Sequence, residues 1–211
     1  MGKIKQGILG GFSGKVGPVI GSSWKGKAVM KAVALSYNDR NSEAQQQQRA
    51  KFALIGKLLS KINGFINFGF AKKAVGITAP NAAMRANLDE AISGSWPNYN
   101  VDYSKVAVSA GNVDLPYNAT ATASGTDLSV SWADNSGRGN AQADDQAMIL
   151  VFNTDKNEAS YTTAAATRTT RAASLTLPSA WGGDNVEVYL AMRRESTGDT
   201  SASAYLGNFT L

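Results

Sequence analysis

Residues 127–133 read DLSVSWA. Leu128, Val130 and Trp132 alternate with Ser129 and Ser131, the period of two that marks a strand with one buried face. Residues 186–192, VEVYLAM, repeat the pattern with Val186, Val188, Leu190 and Met192. Around these two, further short strand-like runs recur between turn signals: KVAVSA, NATATAS, QAMILVFN, SYTTAAAT, SLTLP and AYLGNFTL. This rhythm, with Trp132 on an early strand, predicts an antiparallel β-sandwich of immunoglobulin-like or fibronectin-like type over residues 101–211. The chain has no cysteine, so the disulfide of a true antibody domain is absent.

Towards the N-terminus the texture changes at Trp96-Pro97. Residues 41–66, NSEAQQQQRAKFALIGKLLSKINGFI, predict a helix over about 42–63. Ser42 is placed as N-cap, Gln45 completes a capping box, and Glu43 sits where the helix dipole favours an acid. Phe52, Ile55, Leu58, Leu59 and Ile62 form one apolar stripe, with Lys51, Lys57 and Lys61 off it. Asn63-Gly64 reads as the stop. A second helix is predicted over about 80–92, with Pro80 in its first turn and Ala83, Leu88 and Ile92 towards a core. Asp89 and Glu90 fall late in it, against the dipole. The fold class is therefore α+β, in three parts: a Gly-rich basic arm over 1–38, a helical region over 39–100 and the sandwich over 101–211.

The opening, MGKIKQGILGGFSGKVGPVIGSSWKGKAVMKAVA, holds eight glycines in its first 26 residues. Val16, Val19, Ile20, Trp24, Val29, Val33 and Leu35 suit short strands or an extended arm, with turns at Gly17-Pro18 and Gly21-Ser22. A phosphate-binding loop does not fit. Val16 follows Gly14-Lys15 where a hydroxyl is needed, and Leu9 stands where the first glycine belongs. No secretory signal is read here, because the apolar stretch Ile8 to Phe12 is short and broken by Gly10 and Gly11. No run approaches the length of a membrane helix, so no membrane insertion is expected. The expectation is synthesis in the cytoplasm without a signal peptide, with any role outside the cell reached by lysis or inside an assembled particle.

Charge divides sharply. Residues 1–75 hold 13 Lys+Arg and 2 Asp+Glu, and residues 76–211 hold 8 and 14. Such asymmetry marks either a nucleic-acid arm or self-association of basic and acidic ends. With no cysteine and no histidine, the chain lacks thiolate and imidazole metal ligands and the commonest general base. No catalytic residue, cofactor or metal is expected. Asp134, Asp144 and Asp145 flank the loop WADNSGRGNAQADD, where calcium could meet loop oxygens, but EF-hand spacing is absent and a solvated loop is the reading preferred. Trp96 and Trp181 could stack on sugar, although both also suit core or hinge positions.

Several stretches together resemble a known family: MGKIKQGILGGFSGKVG, SSWKGK, AQQQQRAKF on the helix, ANLDEAI, the Trp132 strand and AYLGNFTL. They are similar to a family of uncharacterised Bacteroidota proteins known only as a domain of unknown function. The resemblance spans nearly the whole chain and implies a Gly-rich arm, a helical middle and a fibronectin-like end. It supplies no catalytic residues. The helix pattern AQ-x-x-QR-x-KF also resembles helices of phage-associated structural proteins.

The function expected from these features is non-enzymatic assembly, in a phage virion or another particle. The arm residues Ile4, Ile8, Leu9, Phe12, Val16 and Trp24 would dock on an adjacent subunit, for instance by adding a strand to an exposed sheet edge. Partners would be further copies of the chain or other particle subunits. The alternative is non-specific nucleic-acid binding through Lys3, Lys5, Lys15, Lys25, Lys27 and Lys31. A carbohydrate-binding sandwich is a third reading.

Overall fold

The computed structural model describes residues 2–3, 12–34, 36 and 39–211. Ile4, Lys5, Ile8, Leu9 and Leu35 therefore lie outside the described residues. Two compact units emerge, Met1–Ser42 and Glu43–Leu211.

The first unit is an antiparallel sheet. Its strands are β1 (Gly2–Lys3), β2 (Gly14–Val16), β3 (Val19–Trp24) and β4 (Lys27–Ala32), in the order β1-β4-β3-β2. Lys25 and Gly26 join β3 to β4, both at positive φ (48° and 74°), as a two-residue hairpin turn requires. Gly21, in mid-strand, has a different reason to be glycine: a Cβ there would collide with the carbonyl and ring of Phe12.

The second unit opens with α1 (Glu43–Lys61), beginning directly after Ser42. Ile55, Leu58, Leu59 and Ile62 are buried as the stripe predicts, but Phe52 is exposed. Asn63-Gly64 does not end the helical region. A second helix, α2 (Asn63–Gly69), starts there after Ile62 leaves helical geometry. Gly64 instead makes room for the Tyr161 hydroxyl, which a Cβ would strike. Next comes α3 (Ala79–Asn87), capped by Thr78, whose side chain accepts from the Asn81 backbone amide at 3.3 Å. It stops five residues before the predicted end. The Asn87 amide side chain turns away to bond the Ala107 backbone in both directions, 2.8 Å each way. Leu88, Asp89 and Glu90 follow in a turn, and Ile92 opens a hairpin, β5 (Ile92–Ser95) and β6 (Asn98–Val101).

The sandwich has seven strands. They are β7 (Tyr117–Ser124), β8 (Asp127–Ala133), β9 (Gln146–Asn153), β10 (Glu158–Thr162), β11 (Ala172–Thr176), β12 (Asn185–Arg193) and β13 (Ala204–Thr210). One sheet has the order β11-β8-β7 and the other β10-β9-β12-β13. The chain crosses between sheets after β8, β10 and β11, a Greek-key sandwich of fibronectin-like arrangement. KVAVSA, read as a strand, is not one. Its Ala107, Val108 and Ala110 amides are taken by Asn87, the Ser203 hydroxyl and the Gly69 carbonyl instead of a ladder.

The helices and the sandwich do not fold apart, because β9 and β12 are buried on both faces. Ala147, Ile149, Val151, Val186, Val188, Leu190 and Met192 meet Leu128, Val130 and Trp132 inside the sandwich. Met148, Leu150, Phe152, Tyr189 and Ala191 point the other way, into a second core with Ile55, Leu59, Phe65, Ile66 and Ala83 of the helices. Residues 43–211 are thus three layers, helices on sheet on sheet, with two cores.

Candidate interaction surface

The register of the N-terminal sheet sorts its side chains onto two unlike faces. Gly14, Gly21 and Met30 form one cross-strand row, Val16, Val19 and Ala32 a second, and Ser23 and Ala28 a third. This face carries no charge. The opposite face holds the rows Lys15, Ile20, Lys31, then Ser22, Val29, then Trp24, Lys27. Every lysine described within β2, β3 and β4 is on that face.

The arm residues are thereby divided. Phe12 is half-buried over Gly21 within its own sheet. Val16, 63 % exposed, and Met30, 40 % exposed, are both on the neutral face, whereas Trp24, 54 % exposed, is on the lysine face. Lys25 occupies the hairpin turn, and Lys3 pairs with Val29 in the β1–β4 register. Of the whole sheet only Gly21 is buried among the described residues. Among the described residues β2, three residues long, stands at the outer edge of the sheet.

The sandwich places its candidate residues differently. The loop WADNSGRGNAQADD is solvent-exposed over residues 137–140 and 142–144, as read, but it is anchored by buried charge at Asn135 and Asp145. Arg168, with no exposed surface, donates from Nη2 to Asp145 Oδ2 at 3.0 Å and to the Asp114 carbonyl at 2.7 Å. Its Nη1 donates to Asn135 Oδ1 at 2.6 Å and its Nε to the Gln142 carbonyl at 3.1 Å. Arg194 reaches the other oxygen of Asp145 at 3.0 Å and the Asn140 carbonyl at 2.7 Å. Asp145 is thus occupied by two guanidinium groups and the Gln142 amide. The Asp134 carboxylate accepts from the Ser136 hydroxyl and amide, which hold its pKa below the usual range. Among the described residues no group of three acidic side chains is placed to hold a metal. No local sequence pattern announces this cluster, since Asp145, Arg168 and Arg194 are 23 and 26 residues apart.

Trp181, read as a possible sugar platform, is buried in the sandwich core, its indole N–H donating to Glu158 at 3.1 Å. Trp96 is half-buried, its ring 6.3 Å from that of Tyr99. On β12, the buried Glu187 accepts from the Tyr205 hydroxyl at 2.7 Å and from Asn208 at 3.0 Å. Tyr189 donates to the Tyr103 carbonyl at 2.7 Å. Burial first, and then the Glu187 charge, raise the pKa values of Tyr103 and Tyr189; for Tyr205 burial leads, followed by the Glu187 hydrogen bond and charge.

Beside α3 lies an open cleft of about 450 Å³ with an apolar floor of Phe70, Ile77 and Ala82 and both signs of charge at its rim, Lys73, Arg85 and Asp89. A smaller groove is lined by Met84, Leu88 and the exposed Phe52. No helix among the described residues is long and apolar enough to cross a membrane.

A family of unknown function, DUF6266, matches residues 11–207. The chain belongs to this family. The match takes in β2, β3 and β4 of the N-terminal sheet together with the helices and nearly all of the sandwich, so the family unites both compact units. No curated protein matches the chain.

Proposed function

We propose that the protein is a non-enzymatic assembly subunit that associates with further copies of itself through the N-terminal sheet. The observation that carries this reading is the neutral face of that sheet. Val16, Val19, Ala28, Met30 and Ala32 share it, with no charged side chain among them. A sheet becomes stable by covering its apolar face, and among the described residues Phe12 lies over Gly21 while Val16 and Met30 on this face are exposed. Small side chains and glycines let another backbone approach closely, as sheet-on-sheet packing needs.

Charge supports the same reading. Residues 1–42 carry seven Lys+Arg and one Asp, a net of +6, while residues 43–211 carry fourteen Lys+Arg and fifteen Asp+Glu, a net of −1. Cationic sheets brought together by their neutral faces keep their lysines apart. A virion or another particle of many copies is the setting such a subunit serves.

The test places charge on the neutral face. Val16→Asp combined with Met30→Asp, both at exposed positions, should convert the assembled protein to single chains in sedimentation velocity, with an unchanged far-ultraviolet circular dichroism spectrum. An unaltered sedimentation coefficient would remove the neutral face as the contact.

A further inference from the structure

We propose that the lysine face of the N-terminal sheet is a binding platform for single-stranded nucleic acid, with Lys15, Lys27 and Lys31 on the phosphates and Trp24 stacked on a base. This goes beyond self-association, which uses the opposite face.

Three observations lead there. First, Lys15, Lys27 and Lys31 are gathered on one face. Strand register brings Lys15 and Lys31 to either side of Ile20 and sets Lys27 beside Trp24. Residues 12–34 contain no Asp or Glu at all. Second, the ground between them is low. Ser22, Ile20 and Val29 are shorter than the lysines that share their face, so a polymer can lie along the strands between the ammonium groups. Third, Trp24 stands 54 % exposed at the end of the face. An indole so placed offers a stacking surface to any base.

Dimensions agree with a strand-like ligand. Same-face neighbours along a strand are about 6.8 Å apart and adjacent strands about 4.8 Å. Lys27 and Lys31, four residues apart on β4, are therefore separated by about 13–14 Å. A chain running along β4 meets both ammonium groups while a base reaches Trp24. Duplex nucleic acid hides its base faces and cannot use the indole, which makes the single strand the better ligand. Lysines act as point charges and do not read base edges bidentately, so binding is sequence-tolerant and salt-sensitive. An anionic membrane is less well matched, since among the described residues Trp24 is the one large exposed apolar side chain on the lysine face.

The experiment is fluorescence anisotropy of a labelled oligothymidylate of twenty nucleotides with the full chain, over a salt series. Competitors are unlabelled oligothymidylate, oligouridylate, a duplex of equal length and phosphatidylserine vesicles. Binding that weakens linearly in log salt is expected, with both single strands competing better than the duplex or the vesicles. Lys15→Gln, Lys27→Gln and Lys31→Gln together should flatten the slope by about 2, at roughly 0.7 per phosphate contact. Trp24→Ala should weaken binding roughly tenfold or more, and Trp24→Phe should restore most of it. Lys57→Gln with Lys61→Gln, an exposed pair on α1, should leave the slope as it is. Absence of binding at low salt, a slope unchanged by the triple substitution, indifference to Trp24→Ala, or duplex or vesicles competing as well as the single strands would each overturn the proposal.

Discussion

Arg168 is the largest side chain among the described residues with no exposed surface, and it holds the loops at one end of the sandwich together. Its guanidinium gives four hydrogen bonds to Asp145, Asn135, Asp114 and Gln142. Its backbone carbonyl accepts from the Trp132 indole at 2.8 Å. Removing one partner of such a pair strands the rest, so Arg168→Met should cost about 3–5 kcal/mol in a denaturant melt. Arg168→Lys should recover little, because an ammonium cannot reproduce the planar fork. A second residue-scale effect concerns pH. Tyr189 and Tyr205 have raised pKa values, from burial and from Glu187. Their contribution to stability is complete below about pH 10, the range of a phenol in the unfolded chain, and falls as the pH rises further, when unfolded phenols ionise and the folded ones do not. Absorbance titration near 295 nm should show these hydroxyls ionising only with alkaline unfolding, and Tyr205→Phe should move that unfolding to higher pH. Local patterns were legible at this scale and distant ones were not. Leu128, Val130 and Trp132 declare themselves by alternation, and all three are buried. Arg168 sits among threonines in TRTTR and reads as surface, since its partners come from other loops.

Helices and strands show why two-face burial is hard to read. QAMILVFN has the run of apolar residues that a doubly covered strand needs, yet a run of six is equally a strand of a plain sandwich. What covers its second face is decided by α1, α2 and α3, far away in sequence. Hence the helical region and the sandwich, separable by composition, share a core. A chain cut to residues 102–211 uncovers Met148, Leu150, Phe152, Tyr189 and Ala191 together. It should aggregate on gel filtration, whereas residues 43–211 should elute as a folded species. Gly69 is the junction within that unit. Its carbonyl accepts from the Ala110 amide and from the Ser109 and Thr200 hydroxyls, and a Cβ there would press on the Val108–Ser109 backbone. Backbone cannot swing aside as a side chain can, so Gly69→Ala should destabilise residues 43–211 by about 1–3 kcal/mol in thermal or chemical melts. The existence of α2 and the end of α3 escape the sequence for a related reason. Asn63-Gly64 reads locally as a stop, and the helix to Ile92 rests on Pro80 and apolar spacing, while the structure there answers to Tyr161 and to the backbone at Ala107.

At the scale of the molecule the chain divides into a strongly cationic sheet and a nearly neutral unit of helices and sandwich. The division by charge is visible in the sequence. The segregation of lysines from neutral side chains within the sheet is not, because a slip of one residue in register would exchange the faces of a strand. Only the pairing of Gly14 with Gly21 and of Gly21 with Met30 settles it. Val16 and Trp24 look alike as exposed apolar residues in one arm, yet they belong to opposite faces. Assembly is a property of the N-terminal sheet in this view, and the remainder of the chain folds without it. The most direct measurement is therefore the molar mass by light scattering of the full chain and of residues 43–211, each at low and high salt. Defined oligomers or particles from the full chain, and single folded chains from residues 43–211 at every salt, are the predicted result. A monomeric full chain, or oligomers that survive removal of residues 1–42, would contradict assembly through the sheet.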